Sequence, residues 1–161
     1  MYAEVMNQAQ HSPVQCYHLA AKAPAINPKT TVKLYRAMGP GQLLSIQKSN
    51  WQSLPARLPD QAFFYPLTSL SLARNIARQW NLQRSGAGFV VEFSVNSRFL
   101  KTYPKDELVG GEGYEYLIPA HDMDELNTQL IGPIHLVDAF FSEIASKTLA
   151  ASATHKQVSF A

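Results

Sequence analysis

The chain has 161 residues, of which 46% are hydrophobic, 11% aromatic and only 16% charged, with 14 basic against 12 acidic side chains. That length holds one domain with enough buried surface for a core, and the composition excludes a disordered chain, a coiled coil and a collagen-like fibre. A net charge of +2, with no basic cluster denser than Arg74, Arg78 and Arg84, sets nucleic acid aside as a partner, because phosphate-tracking proteins concentrate their charge on one face.

The single cysteine, Cys16, cannot form an internal disulfide. No stretch approaches the ~20 apolar residues of a membrane span. The N-terminal residues lack the basic start and apolar centre of a secretory signal. The expectation is a protein made in the cytoplasm, with export by a specialised secretion system left open.

Residues 1–31 are polar and alanine-rich, broken by Pro13, Pro24 and Pro28, and read as an N-terminal arm or capping helices. A single domain is expected over 32–150 and a polar tail over 151–161. Thr31 to Met38 (TVKLYRAM) is β-branched and aromatic and predicts a strand. Its alternation places Val32, Leu34 and Arg36 on one face and Lys33 and Tyr35 on the other. Gly39-Pro40-Gly41 stops it, and Gln42 to Trp51 predicts a short helix. Ala62 to Leu67 (AFFYPL) predicts an edge strand, limited by Pro66.

Thr68, Ser69 and Ser71 then offer caps for a helix over Ser71 to Gln83. Its apolar stripe runs through Leu72, Ala73, Ile76, Ala77 and Trp80. Phe89 to Val95 (FVVEFSV) predicts a strand with Phe89, Val91, Phe93 and Val95 on one face. A short strand is expected over Phe99 to Tyr103, then a glycine loop at Gly110, Gly111 and Gly113. Tyr114 to Ile118 (YEYLI) predicts a strand ending at Pro119, His121 to Leu130 a loop or short helix, Ile134 to Val137 a last strand, and Phe141 to Ala150 a terminal helix. Helices do not alternate regularly with strands, so the expected class is α+β.

The chain carries no phosphate-binding glycine loop, no dinucleotide fingerprint, no HExxH and no CxxC. Its five histidines, His11, His18, His121, His135 and His155, are scattered without metal-ligand spacing, and no metal centre is expected. Three features remain. Arg36 stands among the apolar residues of a strand, either as a strand-end charge reaching solvent or as a charge aimed into a cleft. Thr68 and Ser69 form a hydroxyl-rich strand-to-helix corner, which suits a helix cap or a binding hydroxyl. Glu115 lies in a strand behind a glycine loop with Tyr114 and Tyr116 beside it, the placing of a solvent-face residue or of a catalytic carboxylate.

Taken together, Leu34-Tyr35-Arg36, the segment LTSLSLARNIARQW (Leu67 to Trp80) and EYLIP (Glu115 to Pro119) resemble the three motifs of the ADP-ribosyltransferase superfamily, in its arginine–serine–glutamate branch. The resemblance spans approximately Val32 to Val137. It implies a split β-sandwich with flanking helices and NAD as a substrate. It also implies Arg36, Ser69 and Glu115 as catalytic residues, and Arg36, Tyr35, Phe64, Tyr65, Thr68, Ser69 and Tyr114 as residues that contact NAD. It further implies a protein target, an immunity protein or chaperone as a natural partner, and a bacterial toxin or effector as the biological setting.

Two departures bear on the outcome. Leu67 stands where the family's first serine would be. Gly113 stands where arginine-modifying members carry a second acidic or amide residue, and Glu112 is one position too early to share a strand face with Glu115.

The chemistry of such a site is coherent. An arginine offers a planar fork for phosphate or ribose oxygens. A carboxylate stabilises the oxocarbenium-like ribose that forms when the glycosidic bond breaks. Two other readings compete: an NAD glycohydrolase with water as acceptor, and a non-catalytic protein-interaction domain with a degenerate site.

Overall fold

The computed structural model describes residues 30–143 together with 146 and 147. Strand β1, Thr31–Met38, has the span that its β-branched and aromatic residues predict. Pro40 does more than end it. It opens the helix Pro40–Lys48, where a fixed φ and a missing N–H cost nothing. That helix stops short of Trp51, because Asn50 and Trp51 take left-handed φ values of 55° and 63°, and Trp51 turns back onto the core.

The aromatic run yields only a two-residue strand, β2, Phe63–Phe64. The expected helix runs as Leu70–Ile76, a π-helical turn at Ala77–Asn81 and a last turn at Leu82–Ser85. Gly86, at φ 73°, closes it. The π turn corrects one expectation. Trp80, placed on the apolar stripe by α-helical spacing, is 64% exposed, because the wider turn rotates every residue after Ala77 out of the expected register.

Strand β3, Ala87–Asn96, is the centre of the sheet, pairing antiparallel with β1 on one side and with β7, His135–Phe141, on the other. Both faces are covered, so its first five residues are all buried. A bulge lies against β7, where Val90 faces Asp138 but Val91 faces Leu136. Phe89, Val91, Phe93 and Val95 join Leu34, Met38, Leu43, Ile46, Phe64, Ile118 and Leu126 in the larger core. On the other face Ala37, Leu67 and Val90 meet Ala73 and Ala77 of the helical run. Gly88 permits that approach, since a Cβ there would collide with the Ala77 carbonyl.

The expected strand over Phe99 to Tyr103 is instead a helical turn, Ser97–Leu100. Asn96 Oδ1 accepts from the Arg98 N–H at 3.0 Å and caps it. Strand β4, Lys105–Glu107, which the sequence does not announce, pairs antiparallel with β5, Tyr114–Tyr116. The expected YEYLI strand therefore breaks at Leu117, whose N–H goes to Pro104 O at 3.0 Å, and β6, Ile118–Pro119, leaves to pair with β2.

The segment after it is helical, a 3-10 turn at Ala120–Asp122 and a helix at Met123–Thr128. Strand β7 is longer than predicted and absorbs Phe141, expected to start a helix. The arm, up to residue 29, half of the expected terminal helix (144, 145 and 148–150) and the 151–161 tail lie outside the described residues, while Glu143, Ser146 and Lys147 are helical as expected. Among those described, every strand pair is antiparallel, the sheets are small and helices flank them. The fold is α+β, and no helix there is long and apolar enough to cross a membrane.

Candidate functional site

Leu67 joins the three motif segments. Its carbonyl accepts from the Tyr35 N–H at 2.7 Å and its N–H donates to Tyr35 O at 2.9 Å. On its other side the Thr68 N–H donates to Tyr114 O at 2.9 Å and the Tyr116 N–H to Pro66 O at 3.0 Å. Leu67 is thereby paired with Tyr35 and with Glu115 at once. The 66–68 segment is a short strand laid between β1 and β5. Such pairings set the Tyr35 and Glu115 Cα atoms about 10 Å apart. Residues separated by about 80 positions in the chain thus share one region of the sheet.

Register decides the side-chain directions. Directly paired residues share a face, so Glu115 emerges with Leu67 and Tyr35. Arg36 leaves β1 on the opposite face, with Leu34 and Met38. Their charges still interact. The Glu115 carboxyl is held above its ordinary pKa by burial first, with Arg36 pulling it down and Asp106, directly across on β4, pushing it up. The Arg36 guanidinium is lowered to about 10, mainly by burial and then by the like charge of Arg57, while Glu115 opposes the shift. Arg36 Nη1 donates to Tyr65 O at 2.9 Å and its Cζ lies 5.5 Å from the centre of the Phe64 ring. Its Nε is buried and has no partner among the described residues.

The hydroxyl corner is committed to structure. Ser69 is the N-cap of the Leu70–Ile76 helix, its Oγ accepting from the Leu72 N–H at 3.2 Å, and it is buried. Its O–H proton remains available to donate, since a hydroxyl both donates and accepts. Thr68 Oγ1 accepts from the Tyr114 N–H at 2.7 Å and sits against the Tyr114 carbonyl at 3.3 Å. A Cβ on Gly113 would collide with this hydroxyl. The space that a side chain at Gly113 would need is therefore filled by Thr68.

The aromatic residues are distributed rather than gathered. Phe64 is buried in the core, with the guanidinium groups of Arg36 and Arg57 against its ring. Tyr65 is half-buried, its ring 6.1 Å from Phe63. Tyr35 faces the helical run, its hydroxyl raised by burial and then by Glu92. Tyr114 is exposed, with Lys105 Nζ 4.0 Å from its ring centre.

Sequence reasoning passed over Arg57. It sits in a proline-flanked loop, PARLP, and nothing in that spacing announces that the loop returns to Arg36. A cleft of about 650 Å³ lies elsewhere, lined by Gly39, Gln42, Ser45, Gln61, Asn81 and Arg84 among others, and contains none of the motif residues. Among the described residues no three His, Cys, Asp or Glu side chains gather into a metal-sized group. Comparison of the chain with protein-family models, with curated proteins and with solved structures finds no match.

Proposed function

We propose that the chain is an NAD-dependent ADP-ribosyltransferase of the toxin or effector type, acting on a protein target. The observation that supports this reading is the double pairing of Leu67, which makes neighbours of the segments carrying Arg36, Thr68-Ser69 and Glu115. In the proposed reaction the bond between the ribose C1′ and the nicotinamide nitrogen breaks, and its electron pair leaves with nicotinamide. Glu115, as carboxylate, stabilises the oxocarbenium-like ribose and holds its 2′-hydroxyl. Arg36 takes phosphate oxygens with its planar fork. The acceptor attacks C1′ and releases a proton.

Incubation with NAD labelled in the adenosine half tests this. Glu115→Gln is expected to keep the fold and slow nicotinamide release by ~10²–10³-fold. Label fixed to a protein supports transfer. Free ADP-ribose with no labelled protein supports the glycohydrolase reading, which the Thr68 hydroxyl at the Gly113 position favours. Wild-type protein that neither binds nor consumes NAD overturns both. It leaves the interaction-domain reading, which the opposite faces of Arg36 and Glu115 favour.

A further inference from the structure

Arg36 and Arg57 reach the same aromatic ring from distant parts of the chain. Their Cζ atoms lie 5.5 and 5.7 Å from the Phe64 centroid, so the two guanidinium carbons are no more than about 11 Å apart. Each is anchored by one backbone carbonyl, Arg36 Nη1 to Tyr65 O at 2.9 Å and Arg57 Nε to Phe63 O at 3.2 Å. Neither forms an ion pair among the described residues, and Arg36 Nε is buried without a partner.

A purely structural arrangement would place a carboxylate between two partly buried like charges, because leaving them unpaired costs desolvation and repulsion together. The acids that influence them, Glu115 for Arg36 and Asp60 for Arg57, act without contact. The missing partner is an anion with acceptors for both forks. One phosphoryl group satisfies one guanidinium. Two linked phosphoryl groups satisfy both, each receiving charge-assisted hydrogen bonds in the geometry that arginine favours.

We propose that Arg57 is a second anion-binding residue, and that Arg36 and Arg57, each against the Phe64 ring, form a cradle for a diphosphate group. This deepens the reading of the site given above and rests on it only for the nucleotide that carries the diphosphate.

Calorimetric titration of the full chain with inorganic pyrophosphate and, separately, with inorganic phosphate tests it. Wild-type protein is expected to bind pyrophosphate at least about tenfold more tightly than phosphate, the size of one further charge-assisted hydrogen bond. Arg57→Gln is expected to erase that preference, with a melting curve no lower than that of wild type, because a like charge beside Arg36 is removed. Arg57→Lys, which keeps the charge and loses the fork, is expected to lose several-fold, and serves if the glutamine variant does not fold. Equal wild-type affinities for the two anions, or a preference unchanged in the variants, overturn the proposal. The two readings fail separately: pyrophosphate binding without any NAD binding or consumption sinks the transferase and keeps the cradle. NAD turnover with pyrophosphate affinity indifferent to Arg57 does the reverse.

Discussion

The hydroxyl of Thr68 occupies the space that a side chain at Gly113 would need. Thr68 Oγ1 is fixed there by the Tyr114 N–H at 2.7 Å, and Gly113 adopts φ 127°, where side-chain-bearing residues are strained. Gly113→Ala is therefore expected to destabilise the protein by more than about 1 kcal/mol, read as a lowered denaturation midpoint. Thr68→Gly removes the collision, so the alanine substitution should cost less in that background. Equal costs in both backgrounds would show that backbone strain alone accounts for the effect.

Glu115 carries a stability cost tied to its charge. Its carboxyl pKa is raised in the folded protein, chiefly by burial, so the native state binds this proton more tightly than the unfolded chain. Stability from this group is greatest below the unfolded carboxylate pKa and is lost as pH rises through the folded value. Glu115→Gln, which cannot ionise, should melt above wild type at neutral pH, with the gap shrinking toward acid. Any activity that needs the carboxylate should fall on acidification earlier than an ordinary glutamate would dictate. A variant that melts lower at pH 7 would contradict the sign.

Arg36 poses the same trade in cationic form. Burial brings its guanidinium down to about 10, and its Nε finds no partner among the described residues. Replacement by methionine, of similar length and apolar, should leave the neighbouring core intact and raise stability by roughly 1–3 kcal/mol, while phosphate and pyrophosphate binding are lost. Thermal melts at low ionic strength check the first outcome and titration the second. Reduced stability would mean that the bond to Tyr65 O outweighs the cost of the buried charge.

At Gly88 the sheet and helix backbones approach closely, because a Cβ there would meet the Ala77 backbone carbonyl. Backbone cannot step aside as a flexible side chain can. Gly88→Ala should cost about 3 kcal/mol or more, seen as loss of a cooperative transition or a sharply lower midpoint. Trp80→Ser, on the exposed side of the π turn, should change stability by less than about 0.5 kcal/mol.

Local chemistry makes much of this protein legible in its sequence. The run TVKLYRAM contains its own strand, because β-branched and aromatic residues fit a pleated surface whatever they pair with, and the alternation placing Arg36 beside Leu34 needs no partner either. FVVEFSV likewise carries both its strand and its buried face. Arg36, the Thr68-Ser69 corner and Glu115 stand out by their residue types and neighbours, and only the family resemblance links them as one candidate site. Elements whose form depends on distant partners are not legible in this way. Strand β4 exists because β5 pairs with it. Trp80 is exposed because the helix widens to a π turn over Ala77–Asn81. Asn96 turns the next residues into a helix by capping them.

The site divides in the same way. Sequence determined which residues bring charge and hydroxyls to this fold. Only the tertiary structure decided that Leu67 would be hydrogen-bonded to β1 and β5 together. It also put Glu115 and Arg36 on opposite faces of the sheet, and folded Arg57 back onto the ring of Phe64. These are non-local pairings, set by strand register and by a loop's return path, and no residue's own propensity encodes them.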